Sequence, residues 1–431
     1  MKETNTSNSL VFFPATWNLA ETTRTLEVAK ACRHRFDVYF ASYGGQFEPL
    51  IEDAGFALTK LSPRLTPQKI EHLYQIDQGE KLGSFFSLTE TRERVKNEIA
   101  FLQNLRPLAA ITGFNTTVTI SRRVAKIPLV WLTQSTWDME AIIDQGLGSY
   151  MDDLERPLIR HLPETVLQWL TKRAVAYFSR AILKPLNTVA QDYQVKPLKD
   201  IYELWQGDYN LLAEPDDFSG LEKLPQSYYY IGPLIANLDK EIPQAVLEWV
   251  NQDKPLVYFS MGSSGRPSVI KAIVEGFREQ PFNVISPMQR KTEGLNINVP
   301  VNVLLTDWLP ALPVNRLADI AVIHGGIGTV MTAALAGKPV VGVGMMYEQE
   351  YNLDCLVRKG FAKRIRRTTI NPDKINQAIT VLLNNPDGKD KAKAYSRHLE
   401  TWLNLRDEKI REFFVSLDQG TLADPAISTP R

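Results

Sequence analysis

The residues whose types and spacing best suit chemistry are His324-Gly325-Gly326-Ile327-Gly328-Thr329, followed by Tyr347-Glu348-Gln349-Glu350. Ile320-Ala321-Val322-Ile323 reads as a short buried strand that stops at the histidine. The glycines let the backbone turn tightly and approach a ligand. Thr329 to Leu335 reads as the helix that follows, so unpaired amides and the positive end of a helix dipole face the loop. That suits a phosphate, with His324 donating a hydrogen bond to it or, on a different reading, acting as a base. Val340-Val341-Gly342-Val343 reads as the next strand. After it, Glu348 and Gln349 can hold sugar hydroxyls, and Glu350 competes with Glu348 for the inward position. Gly262 and Ser263, after the apolar run Val257–Ser260, are small enough to approach a phosphate from the opposite side.

This ordered set resembles the donor-binding signature of the family-1 glycosyltransferases, including those that modify antibiotics. That family has the fold called GT-B, an α/β architecture of two Rossmann-like doubly wound domains facing a cleft. The likeness extends to Lys254–Ser263, similar to the strand and loop opening the family's second domain. It also takes in Asp307-Trp308-Leu309-Pro310, similar to the stretch beside the nucleotide base, and Ile231-Gly232-Pro233-Leu234, similar to the end of the first domain. The resemblance implies a nucleotide-sugar donor, most simply a UDP- or dTDP-sugar, on Gly262, Ser263, Trp308, Leu309, His324 to Thr329, Tyr347, Glu348 and Gln349. It implies no metal and no cofactor beyond that co-substrate. One position departs from the family: Thr332 stands where a glutamate usually holds the ribose.

The acceptor side departs further. Relatives carry a histidine after the first strand, oriented by an aspartate after a later one. Counting back from the Leu26–Ala29 helix, Glu21 occupies the histidine's place, while Ile111-Thr112-Gly113-Phe114-Asn115 contains no acid. His34 lies at the far end of that helix. A carboxylate with a free pKa of about 4.3 becomes a better base in a dry cleft, so Glu21 is the candidate catalytic base. Trp17, Asn18, Asn115 and Trp137 are the candidates for touching a small acceptor.

These residues need elements to position them, and the chain supplies alternating strands and helices. Strands are expected at Leu10–Phe13, Val38–Ala41, Ala57–Leu61, Leu108–Thr112, Leu129–Thr133 and Leu211–Ala213. A second series follows at Val257–Ser260, Val284–Ser286, Val303–Leu305, Ile320–Ile323 and Val340–Val343. Helices are expected from Thr22 to Arg33 and from Tyr395 to Leu417, and the resemblance implies that the second packs back on the first domain. A length of 431 residues fits two domains. The division is 1–235 for the acceptor, 236–243 as linker, 244–403 for the donor, and 404–431 as helix and tail.

Forty-nine basic residues against forty-nine acidic ones leave no field to draw in nucleic acid. Two cysteines, Cys32 and Cys355, make neither a disulfide framework nor a metal site. No run approaches the ~20 apolar residues of a membrane span, and Met1–Ser9 lacks a signal-peptide core, so the expected location is the cytoplasm.

Residues 154–186 stand apart. Arg156, Arg160, Lys172, Arg173, Arg180 and Lys184 interleave with Leu158, Val166, Trp169, Leu170, Val175, Tyr177 and Phe178. The pattern fits a solvated basic face on packed helices, an aromatic cover over the acceptor, or a helix lying on a membrane surface. Three other functions fit parts of the chain: a nucleotide-sugar epimerase of the same fold, a membrane-associated lipid glycosyltransferase, and a non-catalytic partner protein that has lost its base.

Overall fold

A computed structural model of the chain describes residues 8–423 apart from 139–140, 143–144, 146, 148–161, 237–240 and 251–252. Two parallel sheets organise it. The first runs β3-β2-β1-β4-β5-β6-β7 and the second β10-β9-β8-β11-β12-β13. The first is built from β1 (Ser9–Phe12), β2 (Asp37–Ser42), β3 (Ala57–Lys60), β4 (Ala109–Thr112), β5 (Leu129–Thr133), β6 (Tyr209–Leu212) and β7 (Tyr228–Tyr230). The second contains β8 (Leu256–Ser260), β9 (Asn283–Ser286), β10 (Val303–Leu305), β11 (Ile320–Ile323), β12 (Val340–Gly342) and β13 (Ala362–Arg364). This is the doubly wound GT-B architecture. The central strands are buried along their whole length, because helices cover both faces of a parallel sheet, and they read as unbroken apolar runs. β7 and β13 lie outside the sequence expectation. Both are edge strands, one half-buried and one carrying Lys363 and Arg364.

The helices that bear on the site are α1 (Leu19–Cys32), α2 (Pro67–Asp77), α3 (Leu88–Leu105), α4 (Glu164–Asp192), α5 (Ile327–Leu335), α6 (Tyr347–Arg358) and α7 (Pro386–Asp418). α1 begins at Leu19 rather than Thr22, because the Asn18 side chain accepts hydrogen bonds from the Ala20 and Glu21 amides at 3.0 and 3.4 Å. Glu21 therefore sits in the first turn. α7 begins at Pro386, where Asn385 caps the Gly388 amide at 3.1 Å. Its first part packs Ala392, Tyr395 and Leu399 into the core around α5 and α6. Its last part sends Ile410, Phe413 and Phe414 into the core beneath β1 and α1, and Arg406 pairs with Glu27 at 3.3 Å.

In each sheet the chain reverses direction beside the first strand: between β1 and β4, and between β8 and β11. Ligands of open α/β sheets settle at the carboxyl ends of strands at such a switch point. The segments leaving those four strands, including the first turns of α1 and α5, carry Trp17 to Glu21, Gly113 to Asn115, Gly262 and Ser263, and His324 to Thr329.

Candidate active site

β11 delivers His324 at its end, 7% exposed. The imidazole lies against two glycines. A Cβ on Gly326 would stand 2.6 Å from Nε2, and one on Gly262 would stand 2.8 Å from Nε2. Gly262 also has φ +56, a left-handed conformation that favours glycine. Gly325 has φ +93 and passes so close to the α6 backbone that a Cβ would come 2.5 Å from the Gln349 carbonyl. Burial pulls the His324 pKa down to about 4, with a Ser260 backbone contact acting in the opposite sense. The ring is therefore neutral at pH 7, and its Nδ1 has no hydrogen-bond partner.

α5 starts from Gly326 with no side chain capping its first turn and no acid within it. An uncapped helix start is an anion site worth typically 0.3–1 kcal/mol, and up to ~2 where partly buried. Gly326, Gly328 and Thr329 are half-buried at that start, whereas the Ile327 side chain belongs to the core. Thr332 turns its hydroxyl back onto the Gly328 carbonyl at 2.7 Å. Trp308 is half-buried after β10, and Leu309 packs into the core with Tyr258 and Val314.

Two acids of α6 separate in space. Glu350 is buried against Arg367 at 3.4 Å. Glu348 is half-buried and lies within electrostatic reach of Asp77 and Arg24 of the first half. Its pKa is pushed up to about 8, by burial first and by the like charge of Asp77 on α2, against the hydrogen bonds of the Gln349 and Glu348 amides. Arg24 of α1 also feels Glu348: burial lowers that guanidinium to about 10 while Glu348 opposes the shift. Gln349 is buried, with Oε1 accepting from the Met345 amide and Nε2 donating to Ser264 Oγ, both at 2.9 Å. Its amide thus ties α6 to the loop after β8. Tyr347, beside them, is half-buried.

Glu21 is 3% exposed. Oε1 accepts from Arg24 Nη2, and Oε2 has no partner. Oε2 occupies the space that the missing side chain of Gly113 leaves open. Of the candidate acceptor residues, Trp17 is buried edge-on to Tyr74 and Phe114 at 4.7 and 5.3 Å, and Asn18 caps α1. Asn115 is buried among Arg94, Glu98 and Thr117. Trp137 is half-buried 5.9 Å from Trp205.

The two halves meet across these residues. Gln78 Nε2 donates to the Ser263 carbonyl at 3.1 Å, Thr136 Oγ1 to Asn352 Oδ1 at 2.8 Å, and Tyr351 OH to the Ser219 carbonyl at 3.0 Å. Sequence reasoning missed Arg24 and Asp77. Arg24 carried a usable signal, three residues after Glu21 on one helix face; Asp77 carried none.

Residues 279–399 match the family described as "Erythromycin biosynthesis protein CIII-like, C-terminal domain". A "PGL/p-HBAD biosynthesis glycosyltransferase" of Mycobacterium tuberculosis is 24% identical over 423 residues, covering 92% of this chain and 92% of the relative. An "Ecdysteroid UDP-glucosyltransferase" of Spodoptera littoralis nuclear polyhedrosis virus is 27% identical over 180 residues, 39% of this chain and 35% of its own. Among solved structures, spinosyn forosaminyltransferase SpnP superposes with a TM-score of 0.66 at 14% identity, covering 94% of this chain and 99% of that one. The glycosyltransferase VinC in complex with DTDP gives 0.64 at 16% identity, covering 96% and 99%.

Proposed function

Starting from a chain that is a glycosyltransferase of the GT-B fold, we propose that it moves a hexose from a UDP- or dTDP-sugar to a hydroxyl of a small, largely apolar acceptor, with inversion at the anomeric carbon. The donor lies on the 244–403 half and the acceptor on the 1–235 half. One observation carries this: His324 stands against Gly262 and Gly326 at the uncapped start of α5, and on the same half Glu348 lies within electrostatic reach of Arg24, the partner of Glu21 on the other half.

In this reading the α5 amides and neutral His324 take up the charge that develops on the departing diphosphate. Glu348 holds sugar hydroxyls, and Gln349 fixes α6 against the loop after β8. Glu21 Oε2 accepts the proton of the acceptor hydroxyl as its oxygen attacks. The reading calls for no metal, and the cytoplasm supplies the nucleotide-sugar. A partner that had lost its chemistry would have no use for a carboxylate oxygen kept unpaired beside Gly113.

The test is a panel of UDP, dTDP and GDP scored by thermal stabilisation, then UDP- and dTDP-sugars scored by product anomer. UDP or dTDP should raise the melting temperature, and saturation at a hundred times Kd corresponds to about 2.7 kcal/mol. His324→Ala should weaken binding by more than the ~1 kcal/mol of an ordinary hydrogen bond, because the partner is charged. An unshifted melting temperature with every nucleotide, or a retained anomer, would overturn the proposal.

A second reading adds a membrane. On α4, Trp169 and Tyr177 are 56% and 72% exposed, and Arg173 lies 5.0 Å over the Trp169 ring. Arg180 and Lys184 are exposed on the same helix. Such a face suits an anionic bilayer surface. Arg156, Leu158 and Arg160 lie outside the described residues, as do the side chains of Lys172, Val175 and Phe178. Among the described residues no helix is long and apolar enough to cross a membrane.

A further inference from the structure

Asn352 of α6 is fully buried and joins that helix to two distant segments. Its Nδ2 donates to the Gly325 carbonyl at 2.9 Å, and its Oδ1 accepts from Thr136 Oγ1 of the first half at 2.8 Å. Chemistry fixes which way this amide faces. A carbonyl can only accept, so the NH2 end must meet Gly325, which leaves the oxygen for the Thr136 hydroxyl. Thr136 is itself fully buried. It is supported from behind by Ser135, whose amide and hydroxyl both bond to Glu214.

The Gly325 carbonyl shares one peptide unit with the Gly326 amide. That unit is trans, since the cis bond among the described residues is Ser62–Pro63, so its carbonyl and its N–H point in opposite directions across a rigid plane. Holding the carbonyl on Asn352 therefore turns the Gly326 N–H away from Asn352. Gly326 is the residue from which α5 starts, and a Cβ there would stand 2.6 Å from His324 Nε2. The aimed amide and the imidazole are thus neighbours at the uncapped helix start. A peptide plane between two glycines is the freest in this loop. Asn352 supplies the restraint that no side chain of Gly325 or Gly326 can.

We propose that Asn352 is a positioning residue: it aims the Gly326 amide at the donor's diphosphate, and Thr136 of the opposite half holds it in the orientation that does so. An amide already turned toward negative charge stabilises it better than one that must reorient first. A hydroxyl in the acceptor half thereby sets how well the donor half holds phosphate, without touching the ligand. This rests on the reading that the loop after β11 binds the diphosphate, and it adds to that reading the two residues that orient the loop.

The experiment compares UDP, titrated by calorimetry, with uridine, titrated by ligand-observed NMR; dTDP and thymidine form a second pair. The affinity ratio within a pair isolates the contribution of the phosphates. Asn352→Leu keeps the size of the side chain and removes both hydrogen bonds. It should lower that ratio about tenfold or more, the range of a hydrogen bond to a charged group, and leave nucleoside affinity unchanged. Thr136→Val should lower the ratio by a smaller factor, and Thr136→Ser, which keeps the hydroxyl, should restore it. In the Asn352→Leu background Thr136→Val should do nothing further, because the hydroxyl acts only through the amide. A merely structural pair would instead weaken nucleoside and diphosphate alike, in step with the melting temperature. Equal losses for both ligands, wild-type ratios in both single variants, or additive losses in the double variant would overturn the proposal while leaving the diphosphate reading in place. Should Asn352→Leu fail to fold, an unchanged ratio in Thr136→Val overturns it alone. A wild type that binds neither UDP nor dTDP would sink the diphosphate reading, and this proposal with it.

Discussion

Glu21 holds two oxygens in unlike surroundings, one against Arg24 and one unpaired over Gly113. A base needs such an asymmetry: one oxygen anchored to aim the group, the other open to a proton. Glu21→Gln keeps an oxygen for Arg24 and removes the proton acceptor. Transfer should fall by about a hundred- to ten-thousand-fold, while nucleotide affinity and melting temperature stay near wild type. Gly113→Ala tests the same geometry from the other side, since its methyl group collides with Oε2 and should also slow transfer without touching the donor loop. Near-normal turnover in both variants would remove Glu21 from the chemistry. At this scale the sequence was informative where residues act along one segment. His324 and its glycines are neighbours in the chain, and Glu21 follows from counting along one helix. It was uninformative where the meaning lies in a distant partner. Glu348 and Glu350 look equivalent until Arg367, seventeen residues on, takes Glu350 away from the cleft. Asn352 gains its role from Gly325 and Thr136, which come from separate segments.

Elements decide whether the halves stay in register. α7 belongs to both cores, and in the first Phe414, like Ile410, is fully buried, edge-on to Phe413 at 5.0 Å. Deleting such a ring removes transfer free energy and leaves a cavity, so Phe414→Ala should cost about 3–5 kcal/mol. The loss should appear as a lower denaturation midpoint with nucleotide affinity retained in the fraction still folded. A cost below about 1 kcal/mol would mean that the end of α7 docks without supporting the first core. The central strands could be found in the sequence because burial on both faces demands unbroken apolar runs. β7 and β13 could not, since an edge strand keeps one side in solvent and tolerates Tyr228-Tyr229-Tyr230 or Ala362-Lys363-Arg364. The early start of α1 was in fact encoded: Asn18 followed by Glu21 is an N-cap followed by an acid in the first turn.

For the whole molecule, the relevant question is how the junction between the halves responds to its surroundings. Glu214, just after β6, is fully buried, and its Oε1 accepts from the Ser135 amide at 3.1 Å and from the Ser135 hydroxyl. The next residue, Thr136, makes the 2.8 Å bond to Asn352 that crosses between halves. Burial pushes the Glu214 pKa up to about 7, opposed by the two Ser135 bonds. A folded pKa above the unfolded value means that the native state holds the proton more tightly. The stability from that proton is complete below about pH 4.5 and is lost as pH rises through 7. Asp77 and Glu348, raised to about 7 and about 8, act in the same sense. His324, lowered to about 4, acts oppositely and only at acid pH: its neutral form stabilises above about 6.5, and that contribution is lost toward 4. The melting temperature of the nucleotide-free protein should therefore decline between about pH 4.5 and 8. Glu214→Gln imitates the protonated acid at every pH, so it should flatten part of that decline and melt above wild type at pH 8 while differing little at pH 4.5. The slope that remains belongs to the cleft acids. Melting curves for both proteins across this range decide the matter, and parallel profiles would show that Glu214 does not titrate at the junction in this window.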